Sequence, residues 1–160
     1  MSIIDAGNVR VKIPISVLVV IHNAEGEVLL IERADRPGFW QSVTGSLDFP
    51  DEPTREAAIR EVSEETGIDI TALPADALHD MQHAVDYVIY PDWRYRYAPG
   101  VTSNREHWFS LLVPSNTAVR LAPREHTAFE WLPFAEAAKR CFSESNTAAI
   151  LRLQAQHAAK

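Results

Sequence analysis

Three glutamates within five residues are the part of this sequence best suited to chemistry. On a helix, Glu61 and Glu65 lie on one face because they are four residues apart, and Glu64 follows Glu61 by one turn. Like charges at this spacing repel each other by roughly 0.2–0.5 kcal/mol per pair. The pattern has two interpretations, a solvated acidic face or a pair of carboxylates that holds a divalent cation. Mg²⁺ suits the second, because it prefers oxygen ligands and typically binds through one or two carboxylates together with substrate phosphates.

Arg60 precedes these glutamates and is expected to pair with Glu64 and Glu56, which lie four residues away on either side. Glu61 and Glu65 are then left without a cation. The helix dipole adds to the cost, because the C-terminal half of a helix prefers positive charge. Both observations favour the interpretation as a metal site.

The helix that carries these residues is predicted over residues 53–66. Pro53 suits the first helical turn, because its missing N–H would have no partner there. Gly67 follows as a C-terminal stop. The apolar side of the helix, expected to pack on a sheet, consists of Ala57, Ala58 and Val62.

The remaining elements predict an α/β domain with a mixed sheet. Residues 15–21 form a β-branched apolar run typical of a strand buried on both faces, and residues 28–31 return after a polar turn as a hairpin partner. Further strands are expected at residues 41–44, 84–90, 108–113 and 129–132, with a closing helix at 146–157. Strands mixed with two or three helices indicate layers of helix and sheet.

Composition restricts the class of protein. The 160 residues are 46% hydrophobic and suit a single domain over residues 1–160. A net charge of −7 argues against nucleic acid or an anionic membrane as a partner, since both need clustered Lys and Arg. A single cysteine excludes an intrachain disulfide, and no apolar stretch approaches membrane-spanning length or forms the core of a secretory signal. We therefore expect a soluble, cytoplasmic protein, whose oligomeric state the sequence leaves open.

Residues 45–68, GSLDFPDEPTREAAIREVSEETGI, resemble the signature box of the Nudix hydrolases. That box expects Gly, five residues, Glu, seven residues and then Arg-Glu-apolar-any-Glu-Glu-any-Gly-apolar. Its first glycine falls at Ser46, with Gly45 beside it, so this position departs from the pattern. Eight positions match at the expected spacing, namely Glu52, Arg60, Glu61, Val62, Glu64, Glu65, Gly67 and Ile68.

The resemblance continues outside the box, over about residues 12–153, in segments 14–16, 39–46, 96–102 and 108–109. These segments are similar to one group of the family, which acts on a pterin triphosphate. The resemblance implies a Nudix αβα sandwich with a mixed β-sheet between helices. It also implies Mg²⁺-dependent hydrolysis of 7,8-dihydroneopterin triphosphate to dihydroneopterin monophosphate and pyrophosphate in folate biosynthesis.

The same resemblance assigns roles to the acidic residues. Glu61 and Glu65 become magnesium ligands, and Glu125, in a loop before a late strand, becomes the third. Glu64 is selected as general base or water-orienting residue, although it could equally be a metal ligand. Arg60 is expected to fix the orientations of the glutamates through ion pairs, with support from Glu52. The six histidines show no ligand spacing, so no zinc site is predicted.

A triphosphate substrate calls for cationic and hydrogen-bonding groups, and the resemblance selects Lys12, Arg33, Thr44 and Ser143 as substrate contacts. Arginine offers phosphate a planar fork of donors, whereas lysine acts as a point charge. All four tyrosines fall between positions 87 and 97, where aromatic faces could stack on a pterin ring. The stretch expected to line the substrate site, backbone included, is Tyr87, Val88, Ile89 and Tyr90.

Three alternatives remain at this point. The main substrate could be a (deoxy)nucleoside triphosphate such as dATP, because a purine and a pterin both present a fused, hydrogen-bonding ring. A non-catalytic Nudix-like binding module is disfavoured because all the glutamates of the box are retained. Removal of pyrophosphate from RNA 5′ ends is disfavoured by the acidic net charge.

Overall fold

The computed structural model describes residues 4–6 and 9–158, with side chains from residue 11 onward. The predicted domain of residues 1–160 therefore includes residues 1–3, 7–8 and 159–160, which lie outside the described part, and its bounds stay a prediction. No helix in the described part is long and apolar enough to cross a bilayer.

The described residues form strands and α-helices together with two short 3₁₀ helices, Ile70–Ala72 and Pro91–Arg96. The strands are β1 (Ile4–Ala6), β2 (Val9–Val11), β3 (Ile15–Asn23), β4 (Glu27–Arg33), β5 (Trp40–Gln41), β6 (Val43–Ser46), β7 (Leu78–Val88), β8 (Ser103–Val113) and β9 (His126–Pro133). The α-helices are α1 (Thr54–Thr66), α2 (Phe134–Arg140) and α3 (Glu144–Ala158).

Strand β3 is the centre of a mixed sheet with the order β5-β4-β3-β8-β7. It runs parallel to β8 and antiparallel to β4. Its continuous apolar sequence is explained by helices on both faces. Alternate residues such as Val17 and Val19 pack in a core with α1, whereas Leu18 and Val20 pack in a second core with α2 and α3. The predicted α/β sandwich with a mixed sheet between helices is confirmed.

The hairpin of β3 and β4 opens away from its turn, and this opening positions the site. The two strands pair beside the turn, where His22 faces Val28. Farther along, β3 pairs with β6, with Ser16 opposite Ser46, while β4 pairs with β9. The separated ends of the two strands carry Ser16 and Arg33, and both residues line one cleft.

Element boundaries differ from the predictions where the backbone is irregular. β7 begins at Leu78 instead of residue 84. The first part of this strand is irregular, because its register with β8 shifts between Asp80 and Ala84 and Gln82 has a positive φ of 53°. Tyr90 lies beyond β7 and precedes the 3₁₀ helix at 91–96, so the predicted strand at 84–90 is too long at this end. Helix α2 was not predicted, since seven residues are too few for a clear apolar period.

Helix α1 matches its prediction to within one residue. It begins at Thr54, with Pro53 immediately before it. Gly67 ends it in the left-handed conformation, with φ of 73°, and its N–H donates to the carbonyl oxygen of Ser63 at 2.9 Å. This confirms the predicted glycine stop, because residues with a Cβ adopt that conformation at a cost.

Candidate active site

Of the three glutamates near the end of helix α1, two face the interior and one faces solvent. The side chains of Glu61 and Glu65 are each 3% exposed, whereas that of Glu64 is 45% exposed. Glu61 and Glu65 share one side of the helix, as their spacing predicted, and line the cleft together with Glu125 from the loop before β9. Glu64 lies outside this lining.

Gly45 on β6 leaves the space that Glu61 occupies. A Cβ atom built on Gly45 would lie 2.0 Å from the Cδ atom of the Glu61 carboxylate, far inside any real contact distance. The φ of Gly45 is not positive, so space alone requires glycine here. The role of the first glycine in the box thus falls to Gly45, and the loop from there to Glu52 is one residue longer than the pattern expects.

Arg60 joins the carboxylates of this region into one network. Its Nη1 donates to Glu61 Oε1 at 2.7 Å, its Nη2 donates to Glu52 Oε1 at 3.0 Å, and Nη2 also reaches the carbonyl oxygen of Ser46 at 3.1 Å. A further ion pair joins its Nε to Asp48 Oδ2 at 2.9 Å. The guanidinium therefore fixes both Glu61 and the loop that leads into α1.

This network corrects the prediction that Glu61 lacks a cation. Neighbouring residues on a helix do not face each other, but the long Arg60 side chain bends towards the loop that precedes α1, where Glu52 holds it next to Glu61. The predicted pair with Glu64 is present at 3.5 Å. The predicted pair with Glu56 is not among the ion pairs of the described residues. The expected support from Glu52 is confirmed.

We predict that Arg60→Lys lowers the free energy of unfolding by about 1–3 kcal/mol, because one ammonium cannot replace a fork that serves two buried carboxylates. Denaturant unfolding at pH 7.5 measures the change. Arg152→Lys is the matched control, since Arg152 is exposed on α3. Equal stability of the two variants would show that the fork contributes nothing beyond its charge.

The Glu65 carboxylate is buried with unmet polar capacity. Its Oε2 atom has no hydrogen-bond partner among the described residues, and its Oε1 lies 3.6 Å from His126 Nε2. Burial, followed by the nearby Glu61 carboxylate, raises the pKa of Glu65 well above its usual value. Burial lowers the pKa of His126 to about 4, so this imidazole is neutral at pH 7 and supplies no compensating charge.

The donor set at this end of the cleft fits a hard divalent cation. Carboxylate oxygens are the ligands that such ions prefer, and Glu65 Oε2 is a buried acceptor that faces no protein donor in the described part. No three acidic, histidine or cysteine side chains of the described residues are grouped closely enough to enclose an ion by themselves. An ion here would therefore take two carboxylates of α1 and further oxygens, from Glu125 or from phosphate.

The cleft has two connected compartments, with volumes of about 260 Å³ and 540 Å³. The smaller holds Glu61, Glu65 and Glu125, and we refer to it as the carboxylate compartment. The larger, the aromatic compartment, is lined by Tyr90, Trp93 and Phe142 among other residues. Residues shared by both compartments are Lys12, Arg33, Gln41, Thr44, Tyr87, Arg96 and Tyr97.

The shared wall is cationic. Asp35 holds the Arg33 guanidinium with two hydrogen bonds of 2.8 Å, and the Arg33 Cζ atom lies 4.5 Å from the centre of the Trp93 ring. Burial, and then the neighbouring Arg96, lower the pKa of Lys12 to about 8, so its ammonium form still dominates at pH 7. Three cations between the carboxylate and aromatic compartments suit a polyphosphate that extends from one to the other.

Three aromatic rings contact one another in the larger compartment. The ring centres of Tyr90 and Trp93 are 5.3 Å apart, and Phe142 lies 6.2 Å from each of them. They come from the segment after β7 and from the turn before α3. Apolar ring faces next to a cationic wall suit a flat heterocycle that carries phosphates.

The predicted substrate residues all line this cleft, although their roles stay predictions. Lys12, Arg33, Thr44 and Tyr87 face both compartments. The aromatic compartment, but not the carboxylate compartment, is also lined by Val88, Ile89, Tyr90 and Ser143. Val88 is 66% exposed and Ile89 is 2% exposed, so these neighbours border the compartment in different ways.

Several residues that line the cleft were not predicted from the sequence. Arg96 and Trp93 lie in the tyrosine-rich segment, and the alternation of Arg with aromatic residues there was a usable signal. His126 follows Glu125 directly, but one histidine without ligand spacing gives no signal. Other unpredicted lining residues include Gln41, Asp35, Tyr97, Glu106, Arg124 and Phe142.

Comparison with known proteins gives consistent matches. A sequence model of the NUDIX domain matches residues 12–153. The chain is 44% identical over 140 residues to the dihydroneopterin triphosphate diphosphatase of Escherichia coli K12, covering 87% of this chain and 91% of that protein. It is 40% identical over 136 residues to the protein of the same name from Haemophilus influenzae, covering 84% of each. The solved structure of the E. coli dihydroneopterin triphosphate pyrophosphohydrolase superposes with a TM-score of 0.81 at 43% identity, covering 89% of this chain and 95% of that one.

Proposed function

We propose that this chain, which belongs to the Nudix hydrolase family, converts 7,8-dihydroneopterin triphosphate to dihydroneopterin monophosphate and pyrophosphate with Mg²⁺. The observation that carries the proposal is the single cleft that joins buried carboxylates, a cationic wall and an aromatic compartment. The names of the relatives with 40–44% identity support the pterin substrate. The proposal includes a role in folate biosynthesis and a cytoplasmic location, which the same resemblance supports.

In this proposal Glu61 and Glu65 hold the metal ion, with Glu125 as a third ligand. When bound there, such an ion would supply charge neutralisation for phosphate oxygens and a lower pKa for water. Arg60 acts as a positioning residue, because its 2.7 Å hydrogen bond fixes the Glu61 carboxylate. Phosphoanhydride hydrolysis depends mainly on positioning and electrostatics, so this fixed network is the main contribution of the protein.

Glu64 is the proposed base for the attacking water. Burial, followed by the nearby Glu61 carboxylate, raises the pKa of Glu64 above its ordinary value, which makes the carboxylate a stronger proton acceptor. Its 45% exposure gives it contact with solvent, from which the water would come. The role of metal ligand remains the alternative for this residue.

The cationic wall would bind the phosphates. Arg33 offers a planar fork whose orientation Asp35 fixes, and Lys12 supplies a point charge beside it. Arg96, which the sequence analysis did not select, extends this wall, and the Thr44 hydroxyl adds a hydrogen-bonding group. Since these residues line both compartments, they would hold the triphosphate between the metal and the ring.

The aromatic compartment would receive the pterin. Stacking of a heterocycle on an aromatic side chain contributes about 1–3 kcal/mol, if base stacking is a fair guide. Tyr90, Trp93 and Phe142 supply the ring faces. Ser143 and the backbone around Ile89 add polar groups at the edge of the compartment.

The test is pyrophosphate release from dihydroneopterin triphosphate and from dATP at equal concentration. We expect kcat/KM to be higher for the pterin, with monophosphate and pyrophosphate as the only products. A much higher kcat/KM for dATP would replace the pterin by a nucleotide as main substrate. If neither compound is cleaved and calorimetry detects no Mg²⁺ binding, the chain is a non-catalytic binding module.

A further inference from the structure

One polar side chain interrupts the apolar run of β3, and it faces the cleft. Residues 15–21 are apolar except for Ser16, which is 6% exposed and lines the carboxylate compartment. Strands flank it on both sides, because it pairs with Ser46 on β6 and with Glu106 on β8. The hydrolysis proposed above gives the Ser16 hydroxyl no role.

Asn104 on β8 fixes the orientation of this hydroxyl. The residue is 1% exposed, and its side-chain Nδ2 atom donates to Ser16 Oγ at 2.7 Å. A hydroxyl has one proton to donate and two lone pairs that accept. Ser16 Oγ accepts from Asn104 and forms no other hydrogen bond in the described part of the chain. Its proton therefore remains available to a ligand in the compartment.

Thr44 on β6 has the same arrangement. The Nε2 atom of the buried Gln41 side chain donates to Thr44 Oγ1 at 3.2 Å. Both hydroxyls line the carboxylate compartment, and each accepts from a buried amide, so each presents a donor. Lys12 and Arg33, which line the same compartment, have donors only. A ligand that meets this group of donors must be rich in acceptors, as a phosphate is.

We propose that Ser16 is a further substrate contact, whose hydroxyl donates to a phosphate oxygen, and that Asn104 is a positioning residue that keeps this hydroxyl a donor. The inference rests on the polyphosphate binding proposed above. Ser16 lines the compartment that holds Glu61 and Glu65, so the phosphate it meets is one near the proposed metal. The contact therefore belongs to the phosphates and not to the heterocycle.

A purely structural role is the competing explanation. In that case the hydrogen bond between Asn104 and Ser16 only joins β8 to β3. Its loss would lower stability and leave the affinity of the folded protein for phosphates unchanged. Inorganic tripolyphosphate separates the two roles, because it carries the phosphates and no ring. Calorimetry measures its dissociation constant whichever triphosphate proves to be the main substrate.

The experiment compares the wild type with Ser16→Ala in the presence of Mg²⁺. The dissociation constant of tripolyphosphate should rise roughly 10-fold, the size of one hydrogen bond to a charged group. We expect KM for dihydroneopterin triphosphate to rise by a similar factor and kcat to change less than about threefold, because the contact is made to bound substrate as well as to the transition state. Ser103→Ala, at an exposed serine at the start of β8, is the matched control and should behave as the wild type.

A double-mutant cycle tests the role of Asn104. Asn104→Leu replaces the amide donor by an apolar side chain of similar size, so the Ser16 hydroxyl can turn away from the ligand. The dissociation constant of tripolyphosphate should then rise about threefold to tenfold, and by less than about twofold when the same change is made in Ser16→Ala. Equal effects in both backgrounds would contradict the positioning role and indicate another neighbour, such as Tyr87 opposite Asn104 on β7.

Two results would overturn the inference as a whole. One is an unchanged dissociation constant in folded Ser16→Ala, and the other is a wild type that does not bind tripolyphosphate. If Asn104→Leu does not fold, Ser16→Ala still decides, because without a phosphate contact at Ser16 there is nothing for Asn104 to position. If the wild type cleaves dATP and leaves the pterin intact while Ser16→Ala shows the expected loss, the phosphate contact is supported and the proposed substrate is wrong.

Discussion

Replacing Glu65 by glutamine should lower kcat by about 1,000-fold while the protein stays folded. The proposed metal contributes several kcal/mol of charge stabilisation in the transition state, and each 1.4 kcal/mol corresponds to about a tenfold change in rate. Glutamine keeps the shape of the side chain but removes the negative charge that binds the ion. Steady-state pyrophosphate release at saturating Mg²⁺ measures the effect.

Thermal unfolding distinguishes this loss from damage to the fold. Without Mg²⁺, Glu65→Gln should melt at or above the wild-type temperature, because it removes a buried charge next to Glu61. Added Mg²⁺ should raise the melting temperature of the wild type and have little effect on the variant, since only a protein that binds the ion is stabilised by it. Glu56→Gln, at an exposed glutamate on the same helix, should behave as the wild type in both assays. Wild-type turnover in Glu65→Gln would contradict the metal assignment.

Replacing Gly45 by alanine should lower kcat/KM by at least about 100-fold, because a displacement of about 1 Å in a catalytic group has effects of this size. The new methyl group would lie 2.0 Å from the Glu61 Cδ atom, so the carboxylate must leave its position. The Arg60 contact to Glu61 Oε1, at 2.7 Å, would break with it. Stability should fall as well, by about 1–3 kcal/mol for overpacking.

The control for Gly45→Ala is a glycine that is needed for conformation alone. Gly26 lies in the turn between β3 and β4 with φ of 80°, and a Cβ atom built on it would have no neighbouring atom within 4 Å. Gly26→Ala should cost about 1–2 kcal/mol of stability through backbone strain and leave the activity of the folded enzyme unchanged. Full activity in Gly45→Ala would show that the Glu61 carboxylate can act from another position.

The most reliable predictions from sequence concern α1 and the central strand. The spacing of Glu61 and Glu65 placed them on one face, and Gly67 ended the helix, because both depend on helical geometry over a few residues. The apolar run at residues 15–21 indicated a strand covered on both faces for the same local reason. Loop length was not predictable in this way, and the structure was needed to show that Gly45, not residue 46, lies against Glu61.

The local pattern of apolar and charged residues was thus sufficient to predict the layered fold and the pair of carboxylates. Tertiary structure alone determined which side chains surround them. Arg60 contacts Glu61 because the loop with Glu52 bends the guanidinium towards it, and helical spacing does not encode that bend. Trp93, Glu106 and Phe142 lie on three separate segments and line one compartment only after the sheet and α3 have packed. Contacts between distant segments depend on how the elements pack together, and no short stretch of sequence carries that information.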